Sequence, residues 1–111
     1  MRFLFRRIWD WVCGRRLRQL RTSYVVELPE ELDHRLLYLV GENGYLWFAA
    51  MLCPCGCGDT LHMSLDTSAR PSWRISIHRD GSATLYPSIW RRVGCASHFF
   101  LRRGRIRWCD D

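Results

Sequence analysis

Residues 53 to 58 read Cys53-Pro54-Cys55-Gly56-Cys57-Gly58, and this string limits what the chain can become more than any other. Three thiols in five residues, separated by Pro and Gly, cannot form the apolar face of a strand or helix, so simple packing is its weakest explanation. Two cysteines one residue apart are also poor disulfide partners. A metal ion accounts for each part: thiolates hold zinc at about 2.3 Å, and glycines let the backbone turn tightly enough for neighbouring side chains to converge. Redox-active thiols and a copper or iron–sulfur site compete with zinc on the same residues. Cys53, Cys55 and Cys57 leave one tetrahedral position, and the segment Cys95-Ala96-Ser97-His98 offers two ligands for it, Cys95 and His98.

A metal staple suits a chain of 111 residues, which folds as one domain and buries a smaller share of its surface than a larger protein would. With 48% hydrophobic and 14% aromatic residues it has material for a core. Arg6, Arg7 and Asp10 interrupt what would be the apolar part of a secretory signal, and no apolar run approaches the roughly 20 residues that span a bilayer. The expected location is the cytoplasm, where clustered cysteines serve as metal ligands or reactive thiols rather than bridges. The formal charge is +6, and all 17 basic residues are Arg. Arg suits carboxylate and phosphate alike, and a GC-rich genome would produce the same bias, so charge alone does not choose a partner.

Two units are expected. Residues 1–21 space Leu4, Phe5, Ile8, Trp9, Trp11 and Val12 on one side of a basic amphipathic helix, able to touch a membrane surface, dock on a partner or pack on the chain's own core. Residues 22–111 form a mainly β, zinc-binding domain of hairpins. Leu36 to Val40 and Tyr45 to Leu52 flank Gly41-Glu42-Asn43-Gly44. Thr60 to Leu65 alternates in character. Trp73 to Ile77 turns at Asp80-Gly81 into Ala83 to Tyr86, and Phe99 to Leu101 turns at Arg103-Gly104 into Arg105 to Trp108. Tyr24 to Leu28 is one further strand. Cys13 and Cys109 read as ordinary small residues, and His34, His62 and His78 as surface residues.

Ser88 and His98, ten residues apart and flanking Cys95, form a second constellation. Both are expected in loops. Brought together, they make a hydroxyl nucleophile with an adjacent general base, for which Asp66, Glu42 or Asp59 would supply an orienting carboxylate. Arg91 and Arg92, with Arg70, Arg102, Arg103, Arg105 and Arg107, would give one end of the domain a basic surface.

The ordered set Cys53-Pro54-Cys55-Gly56-Cys57-Gly58, Trp73, Leu85-Tyr86-Pro87-Ser88-Ile89, Cys95-Ala96-Ser97-His98-Phe99 and Gly104-Arg105-Ile106-Arg107-Trp108 resembles the BubE-like family, small proteins encoded beside bacterial ubiquitin-like conjugation genes. The similarity runs from about Tyr38 onward. It implies a zinc-stabilised, deubiquitinase-like serine peptidase of antiphage defence that processes or removes a ubiquitin-like protein from its precursor or conjugates, alongside other proteins of the conjugation operon. It further implies that Cys53, Cys55, Cys57 and Cys95 hold the metal, that Ser88 attacks and that His98 is the base. The alternative is a non-catalytic zinc module that recruits a protein or nucleic acid.

Overall fold

The computed structural model describes residues 19–91 and 94–109. Most of the segment expected as an amphipathic helix, with Cys13, lies outside the described residues. Eight strands follow one another with no helix between them among the described residues: β1 (Arg21–Val25), β2 (Leu36–Glu42), β3 (Tyr45–Leu52), β4 (Thr60–Ser64), β5 (Arg74–Ile77), β6 (Ala83–Trp90), β7 (His98–Arg102) and β8 (Arg105–Trp108). They make two four-stranded sheets, ordered β1-β2-β3-β4 and β5-β6-β7-β8. The mainly β expectation holds, and all three expected hairpins are present.

Turn chemistry explains the hairpins. Asn43 and Gly44 have φ of 55° and 78°, and Arg103 and Gly104 have φ of 49° and 76°. Two consecutive positive φ values give the two-residue turn whose twist matches that of paired strands. Gly104 is needed for a second reason: a Cβ there would lie 2.5 Å from the Leu20 carbonyl oxygen. Its own N–H donates to the Ala83 carbonyl at 2.8 Å, and its carbonyl accepts from the Leu20 N–H at 2.6 Å. The last hairpin is thereby tied to the chain entering β1.

The sheets face each other across one core. Leu37, Leu39, Ala49, Met51, Leu61 and Met63 come from the first sheet, and Ala83, Leu85, Ile89, Phe99 and Leu101 from the second. Alternation sets this up: Leu61 and Met63 are buried while Thr60 and His62 are exposed. Strand β2 is buried on both faces, because Leu28 and Leu32, in the connection from β1, cover Tyr38 and Val40 on its other side, together with Ala50 of the neighbouring β3. That connection also corrects an expectation. The strand expected over Tyr24 to Leu28 is shifted: β1 begins at Arg21 and ends at Val25, before Pro29, and pairs with β2 in parallel.

Strand β6 is longer than the expected Ala83 to Tyr86. Pro87 has no N–H for the ladder, and the register shifts between Leu85 and Ile89, but pairing resumes at Ile89↔Phe99 and Trp90↔His98. Ser88 and His98 therefore stand on two adjacent strands, not in loops.

Candidate functional site

Two loops at one end of the sandwich bring the cysteines together. The loop from β3 to β4 carries Cys53, Cys55 and Cys57 and is closed by the Cys53 N–H donating to the Asp59 carbonyl (2.8 Å) and the Gly56 N–H to the Cys53 carbonyl (3.1 Å). The loop from β6 to β7 carries Cys95 and is closed by the Arg91 N–H on the Ser97 carbonyl (2.8 Å). One loop belongs to each sheet. The four sulfurs all lie within 4.8 Å of one another, with Cys53 Sγ 3.4 Å from Cys55 Sγ and 3.5 Å from Cys95 Sγ. Four sulfurs about 2.3 Å from a central ion stand about 3.8 Å apart. The donor set therefore fits a tetrahedral, thiophilic metal, and the four cysteines are close enough to hold one ion. Cys95 completes this group; His98 faces elsewhere.

The thiols are not alike. Burial pushes the Cys53 thiol up to about 12, since a thiolate loses its solvation there. The Ser97 hydroxyl, 3.1 Å away, and the Ser97 backbone N–H lower Cys95 to about 6 by bonding its thiolate. Arg91 sits beside the same sulfurs: Nη1 is 2.8 Å from Asp59 Oδ2, 3.7 Å from Cys57 Sγ and 3.8 Å from Cys95 Sγ. The bond to Asp59 raises its already high pKa, so it stays charged. Arg91 was expected on an open basic surface; instead its side chain is largely covered and serves the cysteine cluster, because the β6 end packs against the β3–β4 loop. Arg92 lies outside the described residues.

Ser97 links the cysteines to the second constellation. It is buried at 7% exposure, with its hydroxyl between Cys53 and Cys95, and the next residue is His98. His98 Nε2 lies 2.9 Å from Ser88 Oγ. The imidazole is held against the Trp90 indole, the rings 4.7 Å apart and 15° from parallel. Trp73 fixes the other partner, its indole N–H donating to the Ser88 carbonyl at 3.3 Å. The Cys109 N–H donates to the His98 carbonyl at 2.9 Å. The pair thus sits on sheet scaffold with aromatic walls, an arrangement able to move a proton from a hydroxyl to an imidazole.

The carboxylates offered as a third member have other work. Asp59 is bonded to Arg91, Asp66 accepts from the Ser68 N–H and hydroxyl, and Glu42 is exposed at the tip of the β2–β3 hairpin in the other sheet. Of the remaining histidines, His34 is exposed, His62 lies against the Phe48 ring, and His78 is half-buried with Nε2 2.7 Å from Thr84 Oγ1. Sequence reasoning missed Ser97, Trp90 and Arg91 as parts of the site. Their positions, between Cys95 and His98 and directly after the Pro87–Ser88 step, were the available signal.

A family model described as "Bacterial ubiquitination-like system serine protease (BubE)" matches residues 24–109. No curated protein and no solved structure matches the chain.

Proposed function

The chain belongs to this BubE family, and we propose that it is a serine peptidase of a bacterial ubiquitination-like system in which Ser88 is the nucleophile and His98 the general base. The observation that carries the reading is the 2.9 Å contact between Ser88 Oγ and His98 Nε2. In the proposed reaction Ser88 Oγ bonds to the carbonyl carbon at the end of a ubiquitin-like protein while its proton passes to His98 Nε2. The C–N bond then breaks, His98 returns the proton to the leaving amine, and water repeats the sequence on the acyl-Ser88 ester, freeing the carboxylate and the hydroxyl. The substrate would be a precursor or conjugate of the ubiquitin-like protein of the same system.

Cys53, Cys55, Cys57 and Cys95 are the proposed ligands of a structural zinc. A closed set of four thiolates has no open position for water and lowers the ion's Lewis acidity, so its contribution is to hold the two loops in place. The scaffold then keeps Ser97, and so His98, in register with Ser88.

The test is cleavage of the cognate ubiquitin-like precursor by wild-type, Ser88→Ala and His98→Gln proteins loaded with zinc. Both variants should fold, retain about one zinc per chain by elemental analysis and lose activity by about 10³-fold or more. Full cleavage by Ser88→Ala would sink the proposal. Wild-type protein that binds zinc but cleaves nothing would leave the non-catalytic zinc module as the better reading.

A further inference from the structure

The outer face of the second sheet carries more than the Ser88–His98 pair. Along β7, Phe99 and Leu101 point into the core, which leaves His98, Phe100 and Arg102 on the opposite face. Strand β8 pairs Arg107 with Phe100 and Arg105 with Arg102. Together with Arg103, Thr84 and Asp80, these arginines line a pocket of about 530 Å³.

The pocket is strongly one-signed. Among the described residues none of these four guanidiniums lies within ion-pair distance of a carboxylate. The Arg102 guanidinium itself rests over the Phe100 ring, its Cζ 5.0 Å from the centroid, which holds the cation to the sheet without neutralising it. Among the described residues Asp80 is the one carboxylate in the lining; its Oδ1 accepts from the Ser82 N–H and hydroxyl, and of the four guanidiniums only that of Arg103 feels its charge. The guanidiniums of Arg102, Arg105 and Arg107 are left to repel one another until an anion enters, and the guanidinium fork matches a carboxylate in two-pronged fashion.

Distance along the strand ties the pocket to the reacting pair. Arg102 is four residues from His98 on the same face of β7, and at about 3.3 Å per residue that is about 13 Å, the length of four residues of an extended chain. We propose that the pocket binds an acidic side chain of the polypeptide substrate, about four residues from the bond that Ser88 attacks. This rests on the peptidase reading above. A polypeptide fits better than a nucleic acid because the charge is gathered at one hairpin on the face that holds an acyl-transfer pair, not spread along a groove that would follow successive phosphates.

The test uses the full chain carrying Ser88→Ala and a fluorescein-labelled nonapeptide of Ala and Ser with Glu at both ends, compared with the same peptide carrying Gln. At low salt the Glu peptide should bind about tenfold tighter by fluorescence polarisation. That preference should disappear when Arg102→Gln and Arg107→Gln are added. Equal affinity for the two peptides, or a Glu preference surviving both substitutions, overturns the proposal; so does tighter binding of a labelled eight-nucleotide RNA that the two Gln substitutions weaken. Labelling of Ser88 in the wild-type chain by an alkyl fluorophosphonate reads the peptidase site separately. Labelling with no Glu preference removes the pocket proposal alone, whereas a Glu preference with no labelling sinks the peptidase reading and reduces the pocket to a docking site.

Discussion

At the scale of single residues, the site is a chain of short contacts, and each can be broken separately. Ser97→Ala removes the hydroxyl that bonds Cys95 and neighbours Cys53. It should raise the Cys95 pKa and weaken metal binding several-fold, measured by competition with a chromophoric chelator, while leaving the Ser88 hydroxyl in place. The two unequal thiols also set a pH dependence. The metal takes thiolates, so protons compete with it. At pH 7 Cys95 is largely a thiolate, whereas Cys53 and Cys57, whose pKa values are both raised, keep their protons, so loading at that pH releases protons from the cluster. As pH falls through about 6, Cys95 is protonated as well and affinity should drop more steeply. Cobalt(II) titrations followed by thiolate-to-metal absorption at pH 5.5 and 7.5 would check this, and a pH-independent affinity would contradict it. Residue type and spacing singled out Cys53, Cys55 and Cys57 but left Cys95 and His98 as rivals for the fourth place; the family resemblance is what set Cys95 with the cysteines and His98 with Ser88. Arg91 was not legible, because nothing in the string Trp90-Arg91-Arg92 says which guanidinium folds back over a loop more than 30 residues earlier.

At the scale of elements, the hairpins were legible because their turns are written in residue chemistry: Asn43-Gly44, Asp80-Gly81 and Arg103-Gly104 each put Gly where the chain must reverse. The end of β6 was misread for an equally local reason, since Pro87 looks like a stop and in the fold is only an interruption. The parallel pairing of β1 with β2 had no local signature at all, as it depends on how the ten residues 26–35 cross the sheet. Gly104→Ala should destabilise the last hairpin by about 1–3 kcal/mol in denaturant unfolding, because the new Cβ meets the Leu20 carbonyl at a positive φ. Trp73→Phe keeps most of the packing but removes the N–H that fixes the Ser88 backbone. Its expected signature is a lower kcat with little change in melting temperature; loss of both together would mean the indole only fills space.

For the molecule as a whole, two sheets share one core, and the cysteine loops join them at one end. Phe99 lies at the centre of that core with no exposure, so Phe99→Ala should cost about 3–5 kcal/mol. Removing metal with a chelator should act differently: a lower melting temperature with the β-sheet circular dichroism largely kept, and loss of fluorophosphonate labelling before the chain unfolds. Among the described residues no helix is long and apolar enough to cross a membrane. The strand order has one more consequence. Each sheet is built from a continuous stretch of chain, the first ending with β4 and the second beginning with β5, while the cysteines are divided three to one between them. A cut in the loop between Ser64 and Arg74 would therefore leave two fragments, each holding the backbone hydrogen bonds of a whole sheet. Their reassembly would be a bimolecular reaction driven by the shared core and completed by a metal ion that neither fragment can coordinate fully, so that metal concentration would set how tightly the two halves of the chain associate.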